Sequence, residues 1–329
     1  MEGFLGVDVG AVSTNVVLID EKDNIAKKVY LRTCGDPIKA LKNALRVVRD
    51  ELDKNIKILG AGATGSGRYL AGALIGADII KNEITAHAFA SIWLEPDVKT
   101  IFEIGGQDSK IIIIRNGVAV DFAMNTVCAA GTGAFLDQQS ARLGIPVENL
   151  GSYALKSKQP VRIAGRCTVF AESDMIHKQQ LGYLKEDIIA GLCESMVRNY
   201  LSNVGKGKEI LPPIMFQGGV AANPGIKAAF EKILGQNIFV PEHFDVMGAI
   251  GAALASKNNL KQEKDSNFKG FEIIDRHFST DSFNCMECPN ECEVLKLLEE
   301  NQTVSFWGDI CGKFGETCPR QESNLRPTV

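Results

Sequence analysis

The chain has 329 residues, 36 Lys and Arg against 40 Asp and Glu, and a formal net charge of −4. With no excess of positive charge to neutralise phosphates, a basic nucleic-acid binder is excluded as the leading reading. No apolar run reaches the ~18 residues of a membrane span, and Met1 to Leu5 lacks the basic start and apolar core of a secretory signal, so a cytoplasmic protein with no membrane association is expected. Thiols stay reduced there, and nine cysteines, five of them between Cys285 and Cys318, therefore raise metal or redox chemistry before disulfides.

Taken in chain order, Phe4 to Val9 is an apolar run carrying Asp8 and followed by Gly10, and Asn15 to Asp20 is a second run after Ser13-Thr14, the pattern of a hairpin. Ala40, Leu41, Ala44, Leu45, Val48 and Leu52 recur at helical spacing. Gly60-Ala-Gly62-Ala-Thr-Gly65 matches G-x-G-x-x-G, but a dinucleotide site also needs an acidic residue at a strand end about 20 residues on. The chain there, Ile79-Ile-Lys-Asn-Glu83, runs into a helical pattern instead. Arg68 and Tyr69 stand where a P-loop requires Lys and Ser/Thr, so neither loop is present.

Near residue 100 the opening pattern returns: Thr100 to Ile104 carries Glu103, Gly105-Gly106-Gln107-Asp108 follows, and Ile111 to Ile114 is a second apolar run. The economical reading is a duplicated fold, against two unrelated strand–turn–strand units. A strand at Ile214 to Phe216, a Gly218-Gly219 turn, a helix from Gly225, a strand at Asn237 to Val240 and a small-residue helix at Gly248 to Ala255 complete an α/β pattern. The expected domains are 1–98 and 99–256, then a polar linker at 257–270 and a cysteine-rich tail at 271–329 whose end is expected to be disordered or a truncated reading frame.

Backbone amides of the glycine, serine and threonine residues in the two turns can cradle phosphate oxygens, while Asp8 and Glu103 or Asp108 can hold hydrated Mg²⁺ or orient an attacking water. The segments at Gly6 to Gly10, Glu103 to Asp108 and Gly218 to Asn223 resemble the phosphate-1, phosphate-2 and adenosine motifs of the actin, sugar-kinase and Hsp70 ATPase superfamily. The resemblance implies a duplicated ribonuclease-H-like fold with the nucleotide in the interdomain cleft. It implies Gly10, Ser13, Thr14, Gly105, Gly106, Gln107, Gly218, Gly219 and Asn223 as MgATP-binding residues, with Asp8, Glu103 and Asp108 as the catalytic carboxylates.

Cys128 and Cys167 each stand in a glycine-flanked segment before a helical pattern, where a helix N-terminus favours a thiolate and so a metal ligand. Two ligands per chain do not complete a Cys₄ site; a two-fold dimer does. Cys128-Ala-Ala-Gly-Thr-Gly133 and Cys167-Thr-Val-Phe-Ala-Glu172 resemble the iron–sulfur ATPase activators of 2-hydroxyacyl-CoA dehydratases, a family that includes the ATPase subunits of benzoyl-CoA reductase, over residues 3 to about 256. The resemblance implies a homodimer sharing one [4Fe-4S] cluster between Cys128 and Cys167 of two subunits. It further implies a ferredoxin or flavodoxin donor and an iron–sulfur acceptor enzyme of the dehydratase or double-cubane type. Glu103 stands where single-domain activators often have Asp, and Asn15 where many have Lys. The rivals are a cluster-free small-molecule kinase, such as a sugar kinase, and a non-catalytic sensor or chaperone-like ATPase.

Cys285, Cys288, Cys292 and Cys311 have metal-ligand spacing that suits zinc or a second cluster. Cys34 and Cys193 read as packing residues, His87, His177 and His243 as surface or capped histidines, and Glu172 and Asp174 as first-turn helix residues.

Overall fold

Leu5, Val7 and Val9 are buried on β1 (Glu2–Val9), and the chain turns at Gly10 to return as β2 (Ser13–Asp20), with Gly3 opposite Asp20 and Val9 opposite Thr14. β3 (Ile25–Arg32) adds a third antiparallel strand. The computed structural model describes residues 1–51, 56–259 and 265–314. Helix α1 (Pro37–Glu51) buries Ala40, Leu41, Ala44, Leu45 and Val48, the helically spaced stripe of the sequence, while Leu52 lies outside the described residues. β4 (Lys57–Thr64) then runs parallel to β1, α2 (Arg68–Ile75) follows, and β5 (Ile79–Ile80) and α3 (Glu83–Leu94) close the series. The sheet order is β3-β2-β1-β4-β5.

The second sheet repeats this plan. β6 (Thr100–Ile104), β7 (Ser109–Arg115) and β8 (Val118–Asn125) are antiparallel, while β9 (Ile214–Gln217) lies parallel to β6 and β10 (Ile238–Phe239) parallel to β9. Its order is therefore β8-β7-β6-β9-β10, with strand senses matching the first sheet one for one. Where α1 alone joins β3 to β4, four helices join β8 to β9: α4 (Gly133–Leu143), α5 (Val147–Ala154), α6 (Thr168–Gln180) and α7 (Lys185–Asn203). α8 (Pro224–Leu234) and α9 (Met247–Asn259) complete the helices. Phe102, Tyr200, Phe216 and Phe230 form a ring cluster at the centre of this core, Phe102 and Phe230 stacked at 4.8 Å.

The chain divides into one unit of residues 1–90 and 248–329 and another of residues 91–247, which differs from the division expected at 98/99 and 256/257. The reason lies in α9. A Cβ on Gly6 of β1 would overlap Ala249 O, and one on Gly62 of β4 would overlap Ala252 O, so two glycines let this helix pack directly on the first sheet. Gly62 thus belongs to strand–helix packing rather than to a dinucleotide turn. The expected linker begins as the last turn of α9, and Ser266 and Asn267 bond to Asp78 while Lys269 N donates to Ile75 O at 2.9 Å, so residues 266–269 are fastened to the first unit. The tail forms a third sheet of β11 (Phe278–Asn284), β12 (Glu293–Glu299) and β13 (Gln302–Trp307), whose Phe278 and Leu297 join the first unit's core. The segment read as disordered, Thr317 to Val329, lies outside the described residues. Among the described residues, no helix is long and apolar enough to cross a membrane.

Candidate functional site

Each five-stranded sheet ends its central strand in the same acid turn. Asp8 lies opposite Asn15 on β2 and Thr64 on β4; Glu103 lies opposite Lys110 on β7 and Gln217 on β9. Gly10 N donates to Ser13 O at 2.8 Å, and Gly105 N to Asp108 O at 3.0 Å. The neighbouring parallel strands end in Gly65 (φ 96°) and Gly218 (φ 87°), a region that favours glycine. A Cβ at Gly65 would come 2.6 Å from Asp8 Oδ1, and one at Gly218 would come 2.6 Å from Glu103 Oε1. Glu103, not Asp108, is thus the structural counterpart of Asp8.

The surroundings of the two acids differ. Asn15 Oδ1 and Thr64 Oγ1, buried on either side of Asp8, have no hydrogen-bond partner among the described residues. Asp8 itself is half-buried and lies against Gly248 at the start of α9, where a side chain would strike its Oδ2. Buried polar atoms without partners cost about 1–3 kcal/mol each, so this turn favours a polar ligand that satisfies them. Glu103 is instead buried, with Lys110 Nζ 2.9 Å from its Oε2 and 3.0 Å from Asp108 Oδ2. Burial pushes the Glu103 carboxyl up, against the pull of Lys110, and the nearby Asp108 adds to the rise. Lys110 went unnoticed in the sequence, although a lone lysine inside an apolar strand is a signal.

The other expected nucleotide residues are disposed unevenly. Thr14 is buried with its hydroxyl 3.0 Å from Thr33 Oγ1, so it serves the sheet, while its counterpart Ser109 has a buried Oγ with no partner among the described residues. Ser13 Oγ accepts from Asn15 Nδ2 at 3.4 Å. Gln107 is exposed and Gly105 and Gly106 half-buried. Gly218 is buried and Gly219 opens a short 3₁₀ turn. Asn223 caps α8, Oδ1 accepting from Gly225 N and Ile226 N, and its buried Nδ2 has no partner among the described residues.

The two cysteine segments lie in the β8–β9 connection of the second unit. Asn125, at the end of β8, grips Cys128 from both sides: its Nδ2 donates to Cys128 O at 2.7 Å and its Oδ1 accepts from Cys128 N at 3.0 Å. Cys128 does not begin α4 as expected. A 3₁₀ turn, Ala129–Gly131, intervenes, so the helix-dipole argument applies to Cys167 alone, which is the N-cap of α6. The first amides of α4, Gly133 N and Ala134 N, donate to Gly105 O and Gly106 O, both at 2.8 Å. The acid turn and the segment after Cys128 are thus directly hydrogen-bonded.

Helix α7 holds the approach to Cys167. Ser195 Oγ donates to Ala164 O at 2.5 Å, Arg198 Nη2 to Ile163 O at 2.8 Å and Asn199 Nδ2 to Gly165 O at 2.6 Å, while Asp174 Oδ2 accepts from Ala164 N. Asn199 Oδ1 also lies where a Cβ on Gly131 would come 2.9 Å from it, so one buried amide sits against both cysteine segments. From the same helix Tyr200 OH donates to Lys110 O at 2.7 Å. Glu172 and Asp174 are past the first turn of α6; Glu172 pairs with Arg142 at 2.8 Å and accepts from Gln138, tying α6 to α4. Asn199 was missed because its partner Gly165 is distant in sequence, and Asn125, three residues before Cys128, because a lone amide carries no periodic signal.

Both thiols are partly exposed, and Val127, Val169 and Phe170 beside them are 95%, 66% and 65% exposed. Among the described residues no three His, Cys, Asp or Glu side chains gather as a metal site within one chain. Cys193 is buried as expected, but Cys34 is exposed with φ 51°, because it lies in the turn before α1 rather than on its apolar face. Of the two places expected for His87, at the surface or capped, the surface is excluded, because it is buried.

Residues 5–256 match the BadF/BadG/BcrA/BcrD ATPase family. The (R)-2-hydroxyglutaryl-CoA dehydratase activating ATPase of Acidaminococcus fermentans is 35% identical over 253 residues, 76% of this chain and 95% of that protein. Among solved structures, component A of the Acidaminococcus fermentans (R)-2-hydroxyglutaryl-CoA dehydratase superposes with a TM-score of 0.72 at 33% identity, covering 78% of this chain and 98% of that one. The activator of the Clostridium difficile 2-hydroxyisocaproyl-CoA dehydratase, with bound ADPNP, gives 0.70 at 30% identity, covering 80% and 99%. The chain carries the duplicated actin and sugar-kinase type of α/β fold and belongs to the BadF/BadG/BcrA/BcrD ATPase family.

Proposed function

We propose that this ATPase is the activator component of a two-protein redox system. It would accept an electron from a ferredoxin or flavodoxin and pass it, at the expense of ATP, to an iron–sulfur enzyme of the 2-hydroxyacyl-CoA dehydratase or double-cubane type. The observation that carries this reading is the pair of hydrogen bonds from Gly133 N and Ala134 N to Gly105 O and Gly106 O, which fasten the turn that would meet the nucleotide to the segment that follows Cys128. The names of the relatives, activators of CoA-ester dehydratases, support the choice of acceptor.

Cys128 and Cys167 would hold a [4Fe-4S] cluster with the same two residues of a second copy. The fit is favourable: both thiols are partly exposed, both segments are braced by α7, and exposed apolar Val127, Val169 and Phe170 beside them offer a surface for a second copy to cover. When bound, the cluster supplies a one-electron carrier at low potential. In the first unit, Asp8 with Asn15 and Thr64 would hold a hydrated Mg²⁺ or orient the attacking water, with phosphate oxygens on the amides near Gly10. In the second unit, the Gly105-Gly106 turn would meet phosphate and Lys110 would keep Glu103 and Asp108 in place. A shift of that turn would reach Cys128 through α4 and Cys167 through α7.

Anaerobic purification with iron, sulfide and EPR measurement tests this. The expected protein is brown, and its Cys128→Ala variant loses iron, the EPR signal and electron transfer while still binding ATP. A colourless, iron-free protein with full activity would overturn the reading in favour of a small-molecule kinase.

A further inference from the structure

Beyond residue 256, outside the stretch shared with the family, the third sheet carries four cysteines at one end. Cys285 and Cys292 continue the β11–β12 ladder: Asn284 lies opposite Glu293, and Cys285 N then donates to Cys292 O at 2.8 Å. Cys288 lies in the turn between them, which Glu291 N closes on Cys288 O at 3.2 Å. Cys311 comes from the other side, in the loop after β13, and three tethers bring that loop to the hairpin. Gly308 lies so close to Glu293 O that a Cβ would come 2.5 Å from it, the Phe314 ring meets Phe283 at 5.3 Å, and Lys313 forms an ion pair with Glu287, which stands between Cys285 and Cys288. The loop is itself folded around Asp309, whose Oδ2 accepts from Phe314 N at 3.1 Å.

The geometry points to a structural zinc site formed by Cys285, Cys288, Cys292 and Cys311. Two cysteines at x₂ spacing in a hairpin turn, a third across its mouth and a fourth from an adjoining loop supply four sulfurs from one end of a sheet, the closed tetrahedral set that zinc takes in structural sites. Among the described residues the side chains do not gather as a metal group, Cys288 and Cys311 are exposed, and Cys311 Sγ donates to Asp309 Oδ2 at 3.9 Å, so binding the ion would release that thiol and draw the tethered loops together. Binding converts four thiols to thiolates and releases their protons to solvent, with no change of oxidation state. The ion would fasten the loop after β13 to the hairpin, a small sheet with little core of its own.

The test uses the full chain carrying Cys128→Ala and Cys167→Ala, which removes the other thiols proposed to bind metal and separates this inference from the proposed function. Elemental analysis after growth with zinc is expected to give about one zinc per chain. Adding Cys288→Ser and Cys311→Ser should lower that at least tenfold, with the far-ultraviolet circular dichroism of the ATPase units retained. Should those variants fail to fold, cobalt titration of the metal-stripped chain takes their place: tetrahedral d–d bands with thiolate-to-cobalt charge transfer for four sulfurs are expected. Absence of zinc together with absence of those bands overturns the site. So does zinc content unchanged by the two serines, or iron and sulfide on these four residues in zinc's place.

Discussion

In the first unit the Asp8 carboxylate stands between Asn15 and Thr64; at the same position in the second, Glu103 stands between Lys110 and Gln217. The backbones repeat down to the glycine that ends the adjoining strand, yet one acid stands beside two orphaned side-chain oxygens, Asn15 Oδ1 and Thr64 Oγ1, and the other is clamped by a buried ammonium. The difference teaches that duplication preserved the turn and divided the surroundings of its acid. A carboxylate already neutralised by lysine is a poor magnesium ligand, whereas one beside unsatisfied oxygens gains from a hydrated cation.

The largest effect that tests this division is on catalysis. Asp8→Asn is expected to lower ATP turnover by about 10²–10⁴-fold, the range for loss of a positioned acid–base or water-orienting group. Glu103→Gln should cost much less. Phosphate-release kinetics on both variants decide it; equal losses would make Glu103 a partner of the reaction rather than of Lys110.

Stability should reverse the ranking. Lys110→Met leaves Glu103 and Asp108 without the cation that bridges them, and removal of one partner from a buried ion pair costs about 3–5 kcal/mol. Asn15→Ala, at the matching position, removes an oxygen that has no partner and should change stability by less than about 1 kcal/mol. Denaturant melts compare the two directly. The same contrast has a pH signature. Because the Glu103 carboxyl is raised in the fold, its linkage contribution is complete below the ordinary value of 4.5 and lost as pH rises through the folded value. Wild type should therefore lose stability relative to Glu103→Gln as pH rises from 4.5 through the folded value.

Much of this division was open to sequence reading. Asp8 and Glu103, Gly10 and Gly105, Ser13 and Asp108, Thr14 and Ser109, and Asn15 and Lys110 are all separated by one constant spacing, so the strand–turn–strand repeat could be read from the chain. Which acid matched Asp8 was harder, because Asp108 follows glycines as conspicuously as Glu103 precedes them; only strand register decides. The return of α9 to the first sheet was not legible, since it depends on Gly6 and Gly62 meeting a helix far along the chain. The bracing of the cysteine segments by Asn125 and Asn199 was hidden for another reason: single amides carry no periodicity.

A smaller effect tests the shared backbone. Gly65→Ala and Gly218→Ala each force a Cβ onto the neighbouring acid at positive φ and should destabilise by about 1–3 kcal/mol. Losses of similar size in both confirm matched turns; a tolerated alanine at either would mean that the duplication is looser there.

The smallest effect compares the connections rather than the turns. Cys34 lies in the β3–β4 connection of the first unit and Cys193 on α7 in the β8–β9 connection of the second. Burial first, then the charge of Glu194, pushes the Cys193 thiol from 9.0 up to about 12, which leaves roughly a thousandfold less thiolate at pH 8 than an ordinary cysteine has. Cys34 is exposed in its turn. Iodoacetamide at pH 8, with peptide mapping, should therefore modify Cys34 in the folded protein and Cys193 only after denaturant is added. Labelling of Cys193 at the rate of Cys34 would mean that α7 opens in the native state, and a helix that opens cannot be the rigid brace on which the Cys128 and Cys167 segments are held.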